Sequence, residues 1–159
     1  MPKVLIVYYS RTGNTKGMAE LIAEGVRREK DVEVEVKAVQ DTKVEELLDF
    51  DGIFIGSPTY YGSMAAEVKK LIDDSVKFHG ELEGKIGGAF SSSGGIAGGN
   101  ETTVMNILQA LLIHGMVVQG TPDGDHYGPV SIGKSDDRNK NSCREYGHRI
   151  AKLVLKTAT

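Results

Sequence analysis

Six residues, Ser10-Arg11-Thr12-Gly13-Asn14-Thr15, follow the apolar run Val4-Leu5-Ile6-Val7-Tyr8-Tyr9 and lead straight into helical periodicity. A strand-to-helix turn of this composition is suited to holding an anion. The helix start presents unpaired N–H groups and the positive end of its dipole, while Ser10, Thr12 and Thr15 add hydroxyl donors and Gly13 admits a positive φ. The loop has neither the Gly-x-x-x-x-Gly-Lys-Ser/Thr spacing of a nucleoside-triphosphate loop nor the Gly-x-Gly-x-x-Gly of a dinucleotide fold. Lys16 has no upstream glycine to curl the chain around a β-phosphate, so a terminal monophosphate held by N–H and O–H donors fits best. Ser10, Thr12 and Asn14 are also common capping residues, and capping the first helix is the alternative use for them.

Two other stretches carry comparable signals. Ser57-Pro58-Thr59-Tyr60-Tyr61-Gly62-Ser63 sets two aromatics beside residues that redirect the backbone. Exposed Tyr rings can stack on a planar ligand, or one of them can pack inward at a simple turn. Ser91-Ser92-Ser93-Gly94-Gly95-Ile96-Ala97-Gly98-Gly99 has enough glycine for the main chain to approach a ligand closely, or to form a flexible surface loop.

These stretches need elements to position them, and the sequence alternates strand and helix patterns. Strand candidates are Lys3–Tyr9, Val32–Val39, Gly52–Gly56, Lys85–Phe90 and Met116–Gln119. Between them come helical patterns carrying Met18, Leu21, Ile22 and Val26, a short one at Val44–Leu48, and another with Met64, Val68, Leu71 and Ile72. Asn100 reads as the N-cap of a helix with Val104, Ile107, Leu108 and Leu111, and Ser142–Leu155 as the last helix. Gly120–Asn141, rich in Gly, Pro, Asp and Asn, reads as an extended loop over the sheet edge.

Five strands alternating with helices predict a three-layer α/β domain over residues 1–159, with a doubly wound parallel sheet of order 2-1-3-4-5. Ligands in such sheets bind beyond the carboxyl ends of the strands where the winding reverses, between strands 1 and 3. All three stretches emerge at that edge.

At 159 residues and 40% hydrophobic content, the chain is long enough for one well-packed core. A formal charge of −3 argues against a nucleic-acid groove. The single Cys143 excludes an internal disulfide and any cysteine-based metal site, and no metal is expected. With no leader pattern and no apolar run long enough for a bilayer, a cytoplasmic protein without integral membrane association is expected.

The three stretches, in order and spacing, resemble the FMN loops of flavodoxin-like proteins. Gly98-Gly99-Asn100-Glu101-Thr102-Thr103, His114-Gly115-Met116-Val117-Val118 and Tyr127-Gly128 are similar to the WrbA type of NAD(P)H:quinone oxidoreductase. The resemblance implies an FMN cofactor. It places Ser10, Arg11, Thr12, Gly13, Asn14 and Thr15 at the phosphate, Pro58, Thr59, Tyr60, Tyr61 and Gly62 along the isoalloxazine, and Ser91, Ser92, Ser93, Gly94 and Gly95 at its pyrimidine edge. His126 joins the cofactor-binding set, and His114 and Tyr60 become candidate catalytic residues. His114 has a plain alternative as a cap on the end of its helix. His79 and Cys143 are read as surface or packing residues.

The activity implied is electron transfer from NAD(P)H to a quinone-like acceptor, in a homo-oligomer, dimer or tetramer. The alternative is an electron-carrier flavodoxin serving redox partner proteins. The chain departs from both patterns. Its Val39–Phe50 connection is shorter than in WrbA-type enzymes, and it has no Trp and only mild negative charge, unlike most carrier flavodoxins.

Overall fold

Lys3–Tyr8 (β1) is apolar on both faces because both faces are covered. Val4 and Ile6 enter one hydrophobic cluster, Leu5 and Val7 the other. In the computed structural model, which describes residues 1–158, β1 is flanked by Glu33–Ala38 (β2) and Gly52–Tyr60 (β3), both parallel to it. Ser63–Met64 (β4) folds back antiparallel on the end of β3. Ile86–Ser93 (β5) lies parallel to β3 on its other side, followed by Val117–Val118 (β6) and Val130–Ile132 (β7) at the far edge. The order β2-β1-β3-β5-β6 is the doubly wound arrangement expected, with β4 as an added hairpin strand.

Helices Asn14–Val26 (α1) and Asp137–Thr157 (α4) cover one face, packing Met18, Ile22, Val26, Tyr146, Ile150 and Val154 against Val4, Ile6, Phe54 and Phe90. Ala66–Asp74 (α2) and Asn100–Ile113 (α3) cover the other with Val68, Leu71, Val104, Ile107 and Leu111. Phe54 and Phe90 are fully buried, each contributing about 2–3 kcal/mol through lost apolar exposure. Among the described residues no helix is long and apolar enough to cross a membrane.

Several elements differ from the sequence reading. The stretch at Val44–Asp49 is a 3-10 helix rather than an α-helix. β3 runs on to Tyr60 and β5 to Ser93, so the residues following Gly56 and Phe90 are strand before they are loop. Asn100 does not cap α3; Gly99, at φ 104°, precedes the helix and Asn100 is its first residue. The supposed Gly120–Asn141 loop contains β7 and the first turn of α4, which begins at Asp137 with the Asp136 carboxylate accepting from the Asn139 N–H.

The edge strand is therefore split. β6 pairs with Ile86–Gly87 and β7 with Ser91–Ser93, while the chain leaves the sheet between them. The gap would orphan the Ala89 N–H, and the buried Tyr146 hydroxyl accepts it at 3.2 Å. Gly128 passes so close that a Cβ there would stand 2.1 Å from the Ala89 carbonyl oxygen. Asp125 pins the excursion, accepting from the Val130 N–H, Arg138 and Ser142.

Candidate functional site

The carboxyl ends of β1, β3 and β5 open into a cleft of about 290 Å³ lined by Ser10, Arg11, Thr12, Asn14, Thr15, Pro58, Thr59, Tyr60, Ser92, Ser93 and Gly94. Eleven residues from three separate stretches meet there because the winding reverses between β1 and β3. Arg11 is the charged group of the wall, and no carboxylate lines it.

The start of α1 answers the capping question. The residue preceding the helix is Gly13, in the left-handed region at φ 96°, and no side chain caps the first turn. Ser10 Oγ instead accepts from the Gly13 N–H at 3.0 Å, closing the loop ahead of the helix. The first intrahelical bond is Gly17 N–H to Gly13 O, so the N–H groups of Asn14, Thr15 and Lys16 have no intrahelical acceptor. No acidic side chain sits in that turn to compete for them. Uncapped donors at a positive dipole end, beside hydroxyls, are the chemistry a phosphate monoester requires.

The other walls are held by paired hydroxyls. Thr15 Oγ1 lies 2.9 Å from Ser92 Oγ, and Thr59 Oγ1 3.0 Å from Ser91 Oγ, tying the three stretches together. Tyr60 meets the Tyr9 ring edge-on at 6.4 Å, and the Arg11 guanidinium lies 5.3 Å from the Tyr60 ring centre. One face of Tyr60 is thus covered by a cation rather than bare. Tyr61 and Gly62, at φ 50° and 76°, form the two-residue turn of the β3–β4 hairpin, with the Tyr61 side chain fully exposed at its tip.

Several predicted residues lie apart from the cleft lining. Ser91 is buried within β5. Gly62 is pressed against the start of α3, where Thr102 Oγ1 donates to the Gly62 carbonyl at 2.9 Å. Gly95 accepts from Ser93 Oγ. His126 sits on the 119–129 excursion, its Nδ1 2.8 Å from the Thr121 carbonyl, beside a different hollow of about 210 Å³ bounded by Asn100 and Glu101. The sequence reading gave Asn100 only as a helix cap and Thr102 no site role; both anchor the loops, Asn100 Nδ2 donating to Ser93 Oγ at 3.0 Å. A hydroxyl three residues past Gly99 was the available signal.

His114 is not brought to the cleft. It follows α3 at the opposite pole of the sheet, about 20 Å along the helix from Asn100. The residue is only 8% exposed, leaving little of it for a neighbouring subunit to use. Ser75 Oγ donates to the Ile72 carbonyl at 2.6 Å and so accepts from His114 Nε2–H at 2.7 Å, leaving Nδ1 buried without a partner. Burial, reinforced by the His79 ring 5.8 Å away, pushes the His114 pKa below its ordinary value.

Stability follows from the sign of that shift. The unfolded chain takes up the proton near the ordinary histidine pKa while the folded ring resists it, so this contribution is complete at neutral pH and is lost as the pH falls. A His114→Gln variant is expected to show a smaller drop in urea midpoint between about pH 7.5 and 5.5 than the wild type. Equal drops would show that His114 does not resist protonation.

A family model described as a flavodoxin domain matches residues 5–113. A flavodoxin from Aquifex aeolicus is 44% identical, covering 97% of this chain and 88% of its own. An NAD(P)H dehydrogenase (quinone) from Archaeoglobus fulgidus is 32% identical, with coverage of 98% and 99%. The crystal structure of a flavodoxin, WrbA-like protein from Agrobacterium tumefaciens superposes with a TM-score of 0.82 at 25% identity, covering 99% of both chains. The chain therefore belongs to the flavodoxin family, whose cofactor is FMN.

Proposed function

We propose that this protein is an electron carrier, shuttling electrons between redox partner proteins through FMN held in the cleft. The observation that carries the reading is the makeup of the wall. It offers hydroxyls, amides, one guanidinium and one phenol, with no histidine, carboxylate, lysine or thiol to move protons on a bound organic substrate. FMN, when bound, supplies the one- and two-electron redox chemistry.

The chain's own residues bind and orient. The free N–H groups at the start of α1, with Ser10, Thr12 and Thr15, would hold the phosphate, and Arg11 adds positive charge beside it. Pro58, Thr59 and Tyr60 would flank the ring system, and Ser92, Ser93 and Gly94 its polar edge. The higher identity to a relative named flavodoxin than to the one named NAD(P)H dehydrogenase supports the carrier.

A second reading, an NAD(P)H:quinone oxidoreductase, is favoured by the near end-to-end match to that dehydrogenase. The FMN-loaded protein separates the two. A carrier is expected to take up electrons in two resolved one-electron steps and to oxidise NAD(P)H with benzoquinone no faster than free FMN. A single two-electron step with turnover well above free FMN would sink the carrier and establish the enzyme.

A further inference from the structure

Arg149 is a guanidinium that the fold leaves uncompensated. Arg28, Arg138 and Arg144 pair with Glu145, Asp125 and Glu24. Arg149 makes no hydrogen bond or ion pair among the described residues; its Nε is buried without an acceptor, and the group lies 5.3 Å from the Tyr146 ring centre. The Nε–H is shut off from the surroundings, so a ligand beside this side chain would meet the outer nitrogens of the group.

It stands at the wall of a cleft of about 450 Å³ between α4 and the 119–129 excursion. Arg138, Asn141, Ser142, Glu145 and Arg149 recur at helical spacing along that wall, and Thr121 and Asp123 face them from the excursion. The carboxylates nearest the helix are already neutralised, Asp125 by Arg138 and Glu145 by Arg28. Asp123 remains exposed on the excursion, with no ion pair. The exposed Asn141 amide has no hydrogen-bond partner among the described residues, and it sits two turns before Arg149 on the same helix face. No lining residue is shared with the candidate cofactor cleft.

We infer that this second cleft binds a small oxyanion, phosphate or carboxylate, carried by a small molecule and anchored on the Arg149 guanidinium, with the Asn141 amide as a second donor. A guanidinium presents paired N–H donors that match either group. The ligand would bridge α4 to the excursion, adding to the contacts made by Asp125 and by the Pro129 carbonyl.

The test is an NMR titration of the FMN-loaded protein with inorganic phosphate, adenosine monophosphate and citrate in turn, the bound FMN keeping these probes out of the first cleft. Saturable shifts are expected at the Arg149 Nε–H and the Asn141 side-chain amide. The R149Q variant should weaken the best-bound probe by about tenfold or more, with R149K intermediate because it keeps the charge and loses the fork. FMN affinity should stay at the wild-type value in both variants. Response to phosphate and adenosine monophosphate alone assigns a phosphate ligand, and response to citrate alone a carboxylate. Shifts that do not saturate, shifts confined to residues 10–15, or equal affinity in the variants that fold would overturn the site.

Discussion

Replacing Thr12 with Glu is expected to lower FMN affinity by about two orders of magnitude while leaving riboflavin affinity within about threefold. Thr12 lines the cleft beside the uncapped start of α1 and makes no hydrogen bond among the described residues. A carboxylate there would engage the free N–H groups itself and face the phosphate as a like charge. At about 4 Å and an effective dielectric constant near 20, two unit charges repel by about 4 kcal/mol, which salt and side-chain movement reduce. Loss of the hydroxyl donor to a charged acceptor adds about 1.5 kcal/mol or more. A net loss near 3 kcal/mol corresponds to about a hundredfold. The fold is insulated from the change, because an exposed acid at a helix N-terminus is neutral or mildly stabilising. Fluorescence-quenching titrations of the apoprotein with both flavins decide the matter. Parallel losses for FMN and riboflavin would mean that Thr12 does not face the phosphate.

The phosphate loop was legible because every local signal in it points one way: an apolar run that must be a buried strand, hydroxyls, one glycine, then helical spacing. What could not be read was where β3 and β5 end. Ser91-Ser92-Ser93 looks like loop, since three hydroxyls in a buried strand would each be costly alone. They are tolerated because their partners come from distant segments: Thr59 for Ser91, Thr15 for Ser92, and Asn100 for Ser93. No local pattern reveals a pairing 77 residues away. The split edge strand was hidden for a related reason. Val130-Ser131-Ile132 is too short to signal a strand between Gly128-Pro129 and Gly133, and it rejoins β5 beyond a gap in which Tyr146, on the following helix, takes the unpaired Ala89 N–H. His114 shows the same dependence on distant segments: its contacts with Ser75 and His79 are those of a buried residue closing a helix, the alternative that its place after α3 offered.

The α1–α4 crossing beneath the site sets the second large expectation, in which two Gly→Ala changes should have opposite signs. Gly147 lies where α4 crosses α1, and a Cβ on it would stand 2.0 Å from the Ile22 carbonyl oxygen and 3.0 Å from the Val26 nitrogen. Gly25 makes the reciprocal approach, with a Cβ 2.0 Å from the Arg144 carbonyl oxygen. Helix propensity alone would make Gly147→Ala stabilising by about 1 kcal/mol. The obstructing atoms, however, are backbone inside a hydrogen-bonded helix, so they cannot rotate away and the helices must separate. Overpacking of this kind costs about 1–3 kcal/mol and sometimes more, and the surrounding Ile22, Val26, Ile150 and Val154 lose contact together. The exposed ion pairs along the crossing, Arg144–Glu24 and Arg28–Glu145, are too weak to compensate. A net destabilisation of about 2 kcal/mol is expected for Gly147→Ala, with a fall in Tm of roughly 4–8 °C for a chain of this length. Gly17 provides the matched control, since it is also inside α1 but a Cβ there meets nothing within 4 Å. Gly17→Ala should raise stability by about 0.5–1 kcal/mol. Urea unfolding of the two apoprotein variants reads both effects. Equal gains from both would mean that the helices do not meet through glycine at this crossing.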